Sequence, residues 1–466
     1  MARLKIPRQQ RYRKRVGGFA RIDVKHDDSV LALETAAECY NFDFTSGALR
    51  SGVGVEYCDY VPRNSTRYWV YRYYSETSGE YVEQYIYQNK HGLAMVYDYD
   101  TKKTTYISGL PLPDMRAINY RLNSKDVLLL SVTGRRLLTW DGKLLKEYAD
   151  SPVISSMALH YERLFVTSSQ EPTKVFFSDD LDPTNWSVGT DSGGFIELLD
   201  ERGMLNKVVS FGNYLYIFRD HGISRVTAFG DQSEFSVLNL FVTAGRIYPS
   251  SIATCGTCII FLASDGLYAF DGYDCARILQ NLDGLIEPSS ATESAFCNGK
   301  YYLSCRMNFK DGKTVGCESG EFNCNGLLVY NVANGEYTVA RGLDISYLEP
   351  CTLNNGGDFL MCCESGKGGI ISSDGKRFGE ELPAHWQSPV TDFGLPDRNK
   401  AIREIYVDTD TPLTVTFDSG RKKKTVNIKP TNTRARVNFN CKSMAVAVDG
   451  SGGECCIKAP TIIYSS

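Results

Sequence analysis

The chain has 466 residues, 42% of them hydrophobic and 12% aromatic, with 29 Tyr, 22 Phe and 41 Gly. This length can bury a large core in about two to four domains. No run of about 18 apolar residues is present, so a transmembrane helix is not expected. Tyr, Thr, Val and Ile favour strands and helical periodicity is nearly absent, so the chain reads as all-β. The formal net charge of −4 hides an asymmetry. Residues 1–25 carry nine Lys/Arg and one Asp, residues 385–466 carry twelve Lys/Arg and eight Asp/Glu, and the middle is left with a balance of −16. An acidic body therefore carries a basic amino-terminal arm and a mildly basic tail domain.

Residues 1–25 (MARLKIPRQQRYRKR and onward) read as an extended arm, too basic and too poor in apolar residues to pack alone. They lack the apolar stretch of a secretory leader, so export by such a leader is not expected. Arg3, Lys5, Arg8, Arg11, Arg13, Lys14 and Arg15 are the candidate docking residues, for an acidic protein surface or for phosphates; the alternative is a solvated tail. Residues 26–61 are expected to contribute to a platform. Ser29 to Cys39 is a candidate short helix, Asn41 starts a strand, and Val53 and Val55 lie in the next one.

Residues 62–388 repeat a unit: an apolar strand, a Gly or polar turn, a second apolar strand, then an Asp-Gly or similar turn. Clear copies are Asp126 to Gly142, Asn213 to Asp231 and Cys258 to Gly272. Weaker ones lie at Tyr81 to Asp100, His160 to Asp179, Cys297 to Glu336 and Asp358 to Gly375. Such an array predicts an irregular β-propeller of about six to seven blades, with strands of period two buried on one face. Residues 389–466 hold about six short strands separated by turns such as Asp418-Ser419-Gly420, which predicts a β-sandwich. Pro396 to Arg403 is a second candidate helix.

Catalytic signals are absent from the sequence. The Asp residues sit in hairpin turns, as at Asp141-Gly142, Asp265-Gly266, Asp271-Gly272 and Asp374-Gly375, where Asp accepts local backbone hydrogen bonds. Ser178 to Trp186 faintly resembles the Asp box of sialidase-type propellers, itself a turn device. The five His are isolated, and no nucleophile elbow or Walker loop appears. Gly366 to Ile370 reads as a turn, and Arg421 to Lys424 as a charge-guarded hairpin edge or an anion contact. The 15 Cys are odd in number and include one CxxC, Cys255 to Cys258. They read mostly as small buried apolar residues of a reducing compartment, without a metal site. No catalytic, cofactor-binding or metal residue, and no cofactor, is expected.

Several segments carry a resemblance. They are Gly18-Phe19-Ala20-Arg21-Ile22-Asp23, Ala37 to Asn41, Gly47-Ala48-Leu49 and Gly52-Val53-Gly54-Val55 in the opening block, Val175 to Trp186 with Gly194 to Leu198, Asn206 to Val226, and the tail domain from Trp386 to Tyr464. In these the chain resembles tail hub or nozzle proteins (packaged-DNA stabilisation proteins) of short-tailed bacteriophages. The resemblance implies a propeller on a β-rich platform, and a non-enzymatic virion protein made in the host cytoplasm and built into the tail. It further implies a homo-oligomeric, hexameric ring that meets portal, adaptor or other tail rings. That ring would let DNA pass without sequence-specific binding and would contact no membrane. The basic arm and the Cys count depart from the pattern. A glycan-binding or glycan-degrading tail propeller and a cytoplasmic propeller adaptor are the alternatives.

Overall fold

The computed structural model describes residues 10–189, 192–310, 324–354 and 357–466. The described chain is all-β, with 45 strands, three single-turn 3-10 helices and no α-helix. No helix of these residues is long and apolar enough to cross a membrane. Both candidate short helices are overturned. Thr35–Ala36 and Glu38–Tyr40 are strands, as is Lys400–Tyr406, because each finds a sheet partner that isolated short helices lack.

Seven antiparallel sheets form the propeller. Blades 1 to 5 span residues 65–106, 116–147, 156–197, 205–242 and 253–278, each a four-stranded meander. Blade 6 spans 293–341. Blade 7 takes three strands from Ile345–Thr352, Asp358–Glu364 and Lys367–Ser372, and its fourth, Gly54–Glu56, from the start of the chain. Ile371 pairs with Val55, which is fully buried. A strand from one end of the chain thus closes the ring, leaving no open blade edge between the first and last sheets.

The first strands of neighbouring blades pack around the axis. The second strands are buried on both faces rather than one. Ile259–Ala263 and Arg163–Thr167 are buried throughout, because a blade is sandwiched between two others. That is why these strands are near-continuous apolar runs where simple alternation was expected.

The tail domain is a two-sheet sandwich to which both chain ends contribute. One sheet orders Arg11–Arg15, Thr461–Ser465, Lys400–Tyr406 and Arg434–Cys441. The other orders Glu38–Tyr40, Pro383–Gln387, Ala445–Ser451, Leu413–Asp418 and Lys423–Ile428. Val415, Phe417, Ile402, Val446 and Ile462 are fully buried between them. Trp386 is also fully buried and takes Phe19 edge-on at 5.0 Å. Pro383–Gln387 pairs inside the sandwich, so the last propeller strands end at Glu381 and not at residue 388. The end of the chain forms two strands, Cys456–Ile457 and Thr461–Ser465, divided by Pro460, which cannot donate to a ladder.

Candidate functional site

The geometry of the propeller brings four charged side chains together on its axis. Arg116 opens the first strand of blade 2, Lys207 lies in that of blade 4, Glu293 opens that of blade 6 and Glu349 lies in that of blade 7. All four line an axial cavity of about 460 Å³. Arg116 Nη2 donates to Glu293 Oε1 at 2.9 Å, and its Nη1 lies 4.0 Å from Glu349 Oε2. One guanidinium therefore spans the bore from blade 2 to blades 6 and 7.

Tyr347 supports this arrangement. Its ring is buried, and the Arg67 and Arg116 guanidinium carbons lie 4.9 and 4.7 Å from its centroid. Its hydroxyl donates to Glu349 Oε2 at 2.9 Å. The aromatic ring and both carboxylates offset the cost of holding Arg116 away from bulk water. Lys207 Nζ donates to the Pro249 and Ile252 carbonyls at 3.2 and 2.8 Å.

Burial pushes the Glu349 carboxyl up to about 7, against the pull of Arg116 and the Tyr347 hydroxyl, with Glu293 adding to the rise. Burial pulls the Lys207 ammonium down to about 8, and Arg116 lowers it further, while the two glutamates oppose the shift. The axis therefore carries an acid and a base that both titrate near neutrality. Such an arrangement can exchange a proton with a polar guest or hold a small zwitterionic one. The paired Arg116 side chain occupies the bore at this level.

The docking residues expected from sequence fall elsewhere. Arg11, Arg13, Lys14 and Arg15 are exposed on the Arg11–Arg15 strand, where Tyr12 stacks on Tyr464 at 5.4 Å. That strand is the outer one of its sheet, so among the described residues one edge is unpaired. Arg3, Lys5 and Arg8 lie outside the described residues. The turn aspartates behave as expected. Asp141 accepts from the Lys143 and Leu144 amides at 2.9 and 2.7 Å, and Asp271 from those of Tyr273 and Asp274 at 2.9 Å. The Asp-box-like segment is likewise a corner, with Asp182 accepting from the Thr184 amide at 2.9 Å. The described cysteines other than Cys324 are free thiols, most of them buried, and among the described residues no group of three or more His, Cys, Asp or Glu is placed to hold a metal.

No family model and no curated protein sequence matches the chain. Among solved structures it is similar to the crystal structure of BBS1N in complex with ARL6DN, at 12% identity and a TM-score of 0.43, over 69% of this chain and 96% of that one. Virginiamycin B lyase from Staphylococcus aureus gives 8% and 0.42, over 78% and 99%. BamB from Moraxella catarrhalis gives 11% and 0.37, over 70% and 84%.

Proposed function

We propose that this chain is a structural subunit of a bacteriophage tail, a hub or nozzle protein that assembles as a homo-oligomeric, hexameric ring around the DNA exit channel. The observation that carries the reading is the basic Arg11–Arg15 strand, the outer strand of its sandwich sheet among the described residues. It gives an otherwise acidic body a localised positive contact, suited to an acidic surface on a neighbouring subunit of the assembly. The charge balance supports the same reading. Each phosphate contact adds salt-dependent affinity, so an acidic wall lets DNA slide during retention and ejection. The propeller axis is spanned by Arg116, so in this reading DNA runs between copies and never through a blade ring. The role is scaffolding, not catalysis, and its place is the virion tail. The test is to purify DNA-filled particles from an infected host and image them with an antibody to this chain. Labelling at the tail is the expected result; particles free of the chain would overturn the reading.

A second reading rests on the paired carboxylates of the axis. Glu293 and Glu349 share Arg116 in one cavity, and a carboxyl near 7 suits a general acid acting on glycan. Glycan turnover that Glu349→Gln abolishes would favour it; turnover unchanged by that substitution would remove it.

A further inference from the structure

In a four-stranded meander the turns between strands one and two, and between strands three and four, lie at the same end of the blade. Across the ring these turns make one face of the propeller. The sandwich and the segment leading into it pack along the outside of blades 5 to 7. Val24 and Lys25 contact Asn281 and Asp283 in the linker between blades 5 and 6, and Arg341 at the far end of the last strand of blade 6 is hydrogen-bonded to Asn41. The Gly375 turn of blade 7 also meets Gly452 of the sandwich, so the open part of this face is formed by the exposed turns of blades 1 to 5.

Two independent features mark that open face. The first is apolar: Tyr81, Leu144, Tyr161, Leu181, Phe229 and Tyr273 are each at least 49% exposed and lie in, or for Tyr81 just beyond, the turns of blades 1 to 5. Neighbouring blades tie these turns together. Tyr161 meets Phe229 edge-on at 5.1 Å, and the Tyr120 hydroxyl donates to the Leu181 carbonyl at 3.0 Å. Where such exposed apolar residues adjoin, as Tyr161 and Phe229 do, the surface suits an interaction site. The second feature is charge. The described residues of these turns in blades 1 to 6 include twelve Asp or Glu against two Lys, Lys102 and Lys143. Glu162, Asp180 and Glu234 stand exposed beside Tyr161, Leu181 and Phe229.

The complement to an acidic, aromatic face is a basic strand, and the chain holds one. Arg11, Arg13, Lys14 and Arg15 are exposed on the outer strand of a sandwich sheet, whose edge is unpaired among the described residues. Two copies can meet this way head to tail. We propose that the open propeller face of one copy docks the Arg11–Arg15 edge of the next. Such a heterologous contact closes into a ring when its rotation permits. The inference rests on the ring-subunit reading and assigns the two surfaces that meet.

The test uses the full chain in two tagged forms. One carries Glu162→Lys, Asp180→Lys and Glu234→Lys; the other carries Arg11→Glu, Arg13→Glu and Lys14→Glu. Circular dichroism and thermal midpoints confirm that both fold, and Leu181→Asn with Phe229→Ser probes the apolar part separately. Self-association is followed by sedimentation at low and high salt. The expected result is at least a tenfold loss of self-association for either charge reversal alone. Mixing the two should recover the contact between the reversed surfaces, and salt should weaken the wild-type assembly. Wild-type assembly that none of these changes affects would overturn the docking assignment and leave the ring reading standing. A chain that stays monomeric at every concentration would overturn both.

Discussion

Replacing Glu349 by Gln isolates the one carboxyl that the propeller axis holds near neutrality. In the folded protein this group sits at about 7, against 4.5 for an ordinary glutamate, with burial as the leading cause. Between those values the folded state holds a proton that the unfolded chain has lost. Its contribution to stability is therefore fully present below about 4.5 and is lost as pH rises through about 7. The full shift corresponds to a ceiling of about 3 kcal/mol at about 1.36 kcal/mol per unit. The side chain is 27% exposed to the bore, and water there trims the expected effect to about 2 kcal/mol. Glutamine does not titrate, yet it still offers an oxygen to Tyr347. The unfolding free energy of wild type minus that of Glu349→Gln should thus fall by about 2 kcal/mol from pH 4.5 to 7.5. Urea unfolding followed by tryptophan fluorescence reads this difference. Titrations away from the axis, such as His160 held down to about 4 and Asp344 pushed up to about 6, are common to both proteins and cancel. A difference that stays constant over the window would refute the account of the axis.

Three further outcomes follow from packing. Gly375 has φ +66°, and a Cβ there would lie 1.4 Å from the Gly452 carbonyl oxygen at the junction of propeller and sandwich. Gly375→Ala should cost about 3 kcal/mol or more in urea unfolding, and an unchanged midpoint would contradict this. Trp386→Ala empties the site between Phe19 and the sandwich core and should cost about 3–5 kcal/mol, read by the thermal midpoint. Burial pushes the thiols of Cys39, Cys362 and Cys363 up, so mass spectrometry after brief alkylation at pH 8 should find these three unmodified in the native protein and fully modified in urea.

The repeats were legible because each is a contiguous hairpin. Asp126 to Gly142 covers the second and third strands of blade 2, and Cys258 to Gly272 those of blade 5. The closing strand Gly54–Glu56 was not legible as a blade strand, since three residues carry little pattern and their partners lie more than 300 residues away. The Arg11–Arg15 strand has the composition of a solvated tail, and it holds its place because an edge strand tolerates charge on both faces. The axial set was missed for a different reason. Arg116, Lys207, Glu293 and Glu349 are spread over four blades, and each looks like an isolated surface charge. The available signal was a charge within the first strand of a repeat, as in RAIN, NKVVS, ESAF and YLEP. It acquires meaning only once the ring places first strands on a common axis.

The central claim is that copies of this chain close into a ring. Native mass spectrometry of the purified full-length protein at micromolar concentration tests it most directly. The account predicts a discrete species of six chains with no higher multiples, which would fit a closed ring of the tail. A single-chain mass across the whole concentration range would contradict it.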